Sequence, residues 1–235
     1  MTDDKVMPAE LFLEELRRGL RDPKRDRTNH PFVQKAMRGE LTLRQIGGWL
    51  REFRSWADPS NKGIAVLWAN SPDAEIRAAL LENLREEEQG TSSNMGGGHV
   101  ALMNEALAEF GFSQQEIESP DMLYESWAFY HWWEIVLTKR SWIEGLAALS
   151  LAAEQINPIV FGKLADALRK HYKVSERALR PFDVHASEVE VEHGKLADGA
   201  IVRHAITPYT QDAVRFAVFH TAEMYYRFFN VYAAY

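Results

Sequence analysis

Apolar positions recur at helical spacing over almost the whole chain. Residues 8–21 begin at Pro8, which suits a first helical turn, and carry Leu11, Leu16 and Leu20 in helical spacing. "RDPKRDRTNHP" reads as a polar connection, and the short helix after it stops near Gly39. Thr42 opens a long segment to about Ser71, with Pro59 as its expected kink or break. "SPDAEIRAALLENLREEEQG" has a full set of end signals: Ser71 as cap, Pro72 in the first turn, Gly90 as stop. "GTSSNMGGG" is a flexible glycine-rich loop, and another helix runs from near His99 to Gly111. "SPDMLYESWAFYHWWEIVLTKRSW" and "IEGLAALSLAAEQINP" form a long aromatic-rich stretch. Pro158 breaks it before "IVFGKLADALRKHY", and residues 207–234 make a last long helix.

One stretch resists the helical reading. In "VHASEVEVEHG", Val184, Val189 and Val191 nearly alternate with Glu188, Glu190 and Glu192, the pattern of a half-buried strand. A lone strand has no partner among helices and is not stable alone. Residues 184–200 are therefore read as a polar helix. With no linker or repeat, the pattern predicts an all-α bundle in a single domain, residues 1–235, with its core over roughly 8–234.

Composition narrows the function. Hydrophobic residues make up 46% of the 235, enough for a sizeable core. The formal charge of -7, without a basic run, argues against nucleic acid and anionic membranes as partners. The absence of cysteine excludes disulfides, thiolate metal sites and a cysteine nucleophile. "MTDDKVMPAE" is too acidic and polar to read as a secretory leader. The most apolar run, "RFAVFHTAEMYYRFFNVYAAY", is interrupted by Glu223 and Arg227, so a soluble cytoplasmic protein is expected. Phe216, Phe219, Tyr225, Phe228, Phe229 and Tyr232 on that last helix exceed what one helix face buries, which predicts a homodimer contact.

Carboxylates and imidazoles on apolar helix faces are the candidate chemistry, because a buried charge is costly unless paired or bound to metal. Glu88 falls four and seven residues after Leu84 and Leu81, which marks it as inward, while Glu86 is read as facing water. His99 shares a face with Leu102, Met103 and Ala106. Glu154 ends a very apolar helix; its alternative role is a partner for a buried arginine or lysine. Glu190 and His193 form Glu-x-x-His, whose side chains share one face and can hold one ion or bridge to a second. His185 lies nearby. Carboxylate and imidazole donors without thiolate suit iron or manganese. His220, Tyr130, His131 and Trp133 are candidates for the wall of a substrate pocket.

"NHPFVQKAMRGELTLRQIGGWL", "ANSPDAEIRAALLENLREEEQG" and "VEVEHG" resemble segments of the pyrroloquinoline-quinone synthase family. "LAAEQINPIVFGKLADALRKHY" is more similar to the haem-oxygenase-like di-iron oxidases, which share that fold. The resemblance spans roughly residues 30–230. It implies a compact haem-oxygenase-like bundle of about seven helices around a central pocket. It implies metal ligands at Glu88, His99 and Glu154, followed by a helix of the form His-x-x-x-Asp-x-x-His. Here Glu190 stands for the Asp and His193 for the last His. Ala186 stands at the first position, with His185 one residue early, so His185 reaches the ligand face only through a local π-bulge. The metal-free quinone-synthase branch lines its pocket with histidines, arginines and a lysine. His220 stands at that lysine and Glu88 at one of those histidines, changes that favour the metal branch.

The resemblance therefore implies a non-haem iron oxidoreductase with two Fe(II) ions per chain and O2 as co-substrate. Glu88, Glu154, Glu190 and His193 would be its catalytic core. It would act on a small amino-acid-like or natural-product substrate by N-oxygenation or oxidative C–C cleavage. The alternatives are a cofactor-free oxidase like the quinone synthases and a non-catalytic helical interaction protein.

Overall fold

The structure is a computed structural model, and it describes residues 6–90, 98–186 and 197–235. Helix α1 (Ala9–Leu20) buries Phe12, Leu13, Leu16 and Leu20. α2 (Pro31–Met37) is short and capped by His30, whose ring accepts from Phe32 N–H. α3 (Leu43–Asn70) starts from a Thr42–Gln45 capping box and passes through Pro59 without a break. A proline costs about 3 kcal/mol inside a helix. Burial of Phe53, Trp56, Ala57, Ile64 and Leu67 on either side outweighs that cost. α4 (Ala74–Gln89) is capped by Asp73, not by Ser71, since the Asp73 carboxylate accepts from the Glu75 and Ile76 N–H groups. It ends at Gly90 in the left-handed conformation, as expected for that residue.

α5 (His99–Glu109), α6 (Gln114–Glu118) and α7 (Tyr124–Thr138) come next along the chain. α8 (Trp142–Ala147) runs directly into a π-helical segment, Ala148–Glu154. α9 (Asn157–Ala167) has Pro158 in its first turn and ends in a second π turn, Leu168–Tyr172. α10 (Glu176–His185), a helical segment at 197–204 (α11) and α12 (Pro208–Phe228) complete the bundle. A 3₁₀ turn, Phe229–Ala234, closes the chain. No strand occurs among the described residues. The helices outnumber the expected seven because short helices fill connections read as coil and π turns divide longer runs.

α3 packs against α4, α5 and α7; α10 packs against α5 and α9. α12 is wedged among α1, α7, α8 and the π segment. That position corrects the surplus of aromatic surface: Tyr225, Phe228, Phe229 and Tyr232 are all buried, and Phe216 alone of the six is largely exposed. The core centres on Trp49, ringed by Phe32, Phe53, Phe161, Phe228 and Phe229. No helix among the described residues is long and apolar enough to cross a membrane.

Candidate active site

A small cavity of about 50 Å³ opens between α3, α7, the first π segment, α10 and α12. Its wall is mainly aromatic and aliphatic, including Phe53, Trp56, Ile64, Trp133 and Tyr225. Glu87, Glu154 and His185 enter from α4, the π segment and α10. Trp133 Nε1 donates to Ser60 Oγ at 2.8 Å, and Ser60 Oγ donates to Trp56 O at 2.8 Å, which locks that side of the wall.

The α4–α5 junction sets the acidic end. A Cβ on Gly98 would lie 2.3 Å from the Glu88 carbonyl oxygen, so only glycine allows the first turn of α5 to abut the last turn of α4. This contact delivers His99 between two carboxylates. Its Nδ1 is 2.9 Å from Glu87 Oε2, and its Nε2 is 3.7 Å from Glu86 Oε1. His99 and Glu86 are 1% and 2% exposed, so both sit in a low-dielectric interior. The His185 ring meets that of His99 edge-on at 4.6 Å and packs on Phe161 at 4.5 Å.

Glu154 meets α4 about one turn before Glu87. It is buried, and its Oε1 accepts from Asn83 Nδ2 of α4 at 2.6 Å. The π segment presents it: Gln155 N–H bonds to Ser150 O at 2.8 Å, a step of five residues. One extra residue in the turn rotates the residues after it by about 100° from their α-helical positions. Behind this turn lies Arg27, fully buried, with its pKa lowered by burial.

The site thus gathers Glu86, Glu87, His99, Glu154 and His185, four of them nearly fully buried. Carboxylate plus imidazole is a donor chemistry that fits iron. Among the described residues no three His, Asp or Glu side chains form a group that could hold an ion as they stand. Glu190 and His193 lie outside the described residues.

Several expected placements are corrected. Glu88 is exposed and bonded to Asn61 Nδ2 at 3.0 Å, whereas Glu86 is buried and Glu87 lines the cavity. The inward face of α4 runs through Ile76, Leu80, Asn83 and Glu86, not through Leu81 and Leu84. His185 ends α10 with its ring buried; the expected π-bulge between it and Glu190 falls on residues outside those described. Among the described residues a π distortion lies on the helix that carries Glu154.

Of the pocket-wall candidates, Trp133 lines the cavity. Tyr130 and His131 do not, because α7 turns Phe129, Trp133 and Val136 inward; His131 stacks on Trp127 at the surface. His220 packs on Phe216 and Trp132, on the side of α12 away from Tyr225. Sequence reading missed Glu86, Glu87, Asn83 and Arg27. The series Ile76, Leu80, Asn83 and Glu87, spaced by four, three and four, was the available signal for the α4 residues.

The bundle matches known structures. A TenA homolog from Pseudomonas syringae pv. tomato superposes with a TM-score of 0.79 over 100% of both chains at 14% identity. The molecule therefore has the all-α haem-oxygenase-like fold of TenA proteins. The family model described as "iron-containing redox enzyme" matches residues 49–226, and the chain belongs to that family. It is 26% identical over 170 residues to 4-aminobenzoate synthase of Chlamydia muridarum, covering 71% of this chain and 68% of the relative. It is 28% identical over 174 residues to pyrroloquinoline-quinone synthase of Ectopseudomonas mendocina, covering 71% and 66%.

Proposed function

We propose that the protein is a non-haem di-iron oxidase or oxygenase acting with O2 on a small amino-acid-like or natural-product substrate. The observation that carries this reading is the buried Glu154 carboxylate, set by a π turn at a cavity that Glu87 and His185 also line. Glu87, His99, Glu154 and His185 would hold the metal with Glu190 and His193. Glu87 replaces Glu88 in that set. When bound, ferrous ions supply the electrons that reduce O2.

The chain's own groups do the rest. An imidazole ligand needs a carboxylate on its other nitrogen to fix tautomer and orientation. Glu86 Oε1, 3.7 Å from His99 Nε2, is placed to take that role on a small closure, while Glu87 Oε2 faces Nδ1 at 2.9 Å. Asn83 holds Glu154 in place through its amide N–H. Phe53, Trp56, Trp133 and Tyr225 exclude water from the reacting centre and pack against the organic body of the substrate. The names of the relatives, synthases of two small molecules, agree with a small-molecule substrate. N-oxygenation and oxidative C–C cleavage are the reaction types proposed.

The test is iron content after anaerobic Fe(II) loading of the wild type, Glu87→Ala and Glu154→Ala. Loss of iron in both variants, with helicity kept, supports the site; full iron in Glu154→Ala removes it. The similarity to a pyrroloquinoline-quinone synthase favours a second reading, a cofactor-free oxidase, which predicts no iron uptake but tight binding of a quinonoid ligand. We also propose a cytoplasmic homodimer. Exposed Tyr124, Trp127 and Ile135 of α7 and Phe216 of α12 supply its apolar surface. Sedimentation as a monomer at micromolar concentration would refute it.

A further inference from the structure

A fully buried guanidinium sits behind the cavity wall, in a stretch whose sequence reads as polar connection. Arg27 Nη2 donates to Ala152 O at 2.9 Å and to Ala153 O at 3.0 Å. Its Nη1 donates to Asn157 Oδ1 at 3.1 Å. Its Cζ lies 3.6 Å above the centre of the Tyr225 ring. Ala153, Asn157 and Tyr225 all line the cavity; Ala152 and Ala153 immediately precede Glu154.

The backbone leaves room for a donor there. In the π register Ala153 O would pair with residue 158; it accepts instead from the Ile156 N–H at 3.2 Å, which leaves one carbonyl lone pair for a second donor. Residue 158 is proline and has no N–H to give. Arg27 adds one N–H bond to Ala152 O and one to Ala153 O from outside the helix. The planar fork of a guanidinium can reach both carbonyls and the Asn157 amide at once, which the point charge of a lysine cannot.

We infer that Arg27 is a positioning residue for the metal-binding carboxylate: by bracing the π turn at Ala152 and Ala153, and Asn157 and Tyr225 beside it, it fixes where Glu154 enters the cavity. It touches neither substrate nor metal and acts through the turn. The inference rests on the reading of Glu154 as a metal ligand.

The experiment is an anaerobic Fe(II) titration of the full chain as wild type, Arg27→Gln, Arg27→Lys and Glu154→Gln. The absorption spectrum of the Co(II)-loaded form is recorded alongside as a report on ligand geometry. Far-UV circular dichroism and melting temperature are measured on each, and the titrations are run well below melting. Arg27→Gln is expected to weaken Fe(II) binding about 10–100-fold, the range for loss of a group that orients a ligand. Arg27→Lys keeps the charge without the fork and is expected to fall between Gln and the wild type, with a shifted Co(II) spectrum. If Arg27→Gln does not fold, Arg27→Lys decides alone. A lower melting temperature with wild-type Fe(II) affinity and Co(II) spectrum in the folded Arg27 variants overturns the inference, because Arg27 is then only a core residue. Wild-type iron binding in Glu154→Gln overturns the reading of Glu154 as a ligand, and this role with it. Loss of iron in Glu154→Gln with unchanged affinity in the Arg27 variants overturns this inference alone.

Discussion

Two buried glutamates, Glu52 of α3 and Glu154 of the π segment, have opposite surroundings. Glu52 is fully buried, and both its oxygens are committed to the fold: Oε1 accepts from Arg51 Nη1 at 2.6 Å and from the Tyr235 hydroxyl at 2.8 Å. Its Oε2 accepts from Leu123 N–H at 3.1 Å. Arg51 in turn donates to the carbonyls of Glu116 and Ser119, so this cluster ties α3 to α6, α7 and the end of the chain. Glu154 is almost as buried, yet its Oε1 accepts from a neutral amide, and it shares its cavity with another carboxylate and an imidazole. Burial alone therefore does not mark a functional carboxylate. A carboxylate closed on an arginine is structural; one set among like charges and imidazoles at a cavity is arranged for a cation.

The comparison breaks most visibly on stability. Glu52→Ala leaves the Arg51 guanidinium buried beside a void. It is expected to cost about 3–5 kcal/mol in urea unfolding, the range for breaking a buried pair. Glu154→Ala should shift the same curve far less and instead remove iron. Equal destabilisation by the two substitutions would erase the distinction. Next in size is a contrast within α4. Glu87→Ala should lose most of the iron and Glu88→Ala should keep it, read by iron content after loading and dialysis. The reverse result would restore Glu88 to the site.

Gly98→Ala probes the α4–α5 junction. Its Cβ meets the Glu88 carbonyl at 2.3 Å, and backbone cannot move aside as a side chain can. The expected cost is about 1–3 kcal/mol, with weakened iron binding because His99 is the next residue. Wild-type melting and iron affinity together would show that His99 does not depend on that contact.

The smallest effect belongs to Tyr235. Burial, first, and then the Glu52 carboxylate raise its hydroxyl from an ordinary 10.0 to about 12. A raised folded-state pKa stabilises fully below the unfolded value and is lost as pH rises through the folded one. The wild type should therefore lose stability relative to Tyr235→Phe between pH 10 and 12. Parallel pH profiles of the two proteins would show that this hydroxyl does not titrate with unfolding.

These same residues show how far the sequence could be read. The helical fold was legible because apolar residues recur at helical spacing and Thr42, Gly90 and Pro158 mark ends. Glu154 stood out because a glutamate after "LAALSLAA" is conspicuous. The α4 carboxylates are the harder case, because spacing from Leu81 and Leu84 points to Glu88 rather than to Glu86 and Glu87. Leu81 is in fact exposed, and a run of three glutamates offers every possible rotation. Arg27 and Glu52 were invisible, since a charge flanked by polar residues or by another charge looks solvated until its partners are known. The π segment is not legible in the apolar run that forms it, and the guanidinium bonded to its end, Arg27, lies over 120 residues away in sequence.

The central claim is that this cavity holds two ferrous ions and meets O2. The most direct measurement is anaerobic titration of the purified protein with Fe(II), then exposure to O2 while its absorbance is recorded. The account predicts uptake close to two irons per chain and a change in absorbance that requires both iron and O2. Full-length folded protein that takes up no iron, or whose loaded form shows no response to O2, would contradict it.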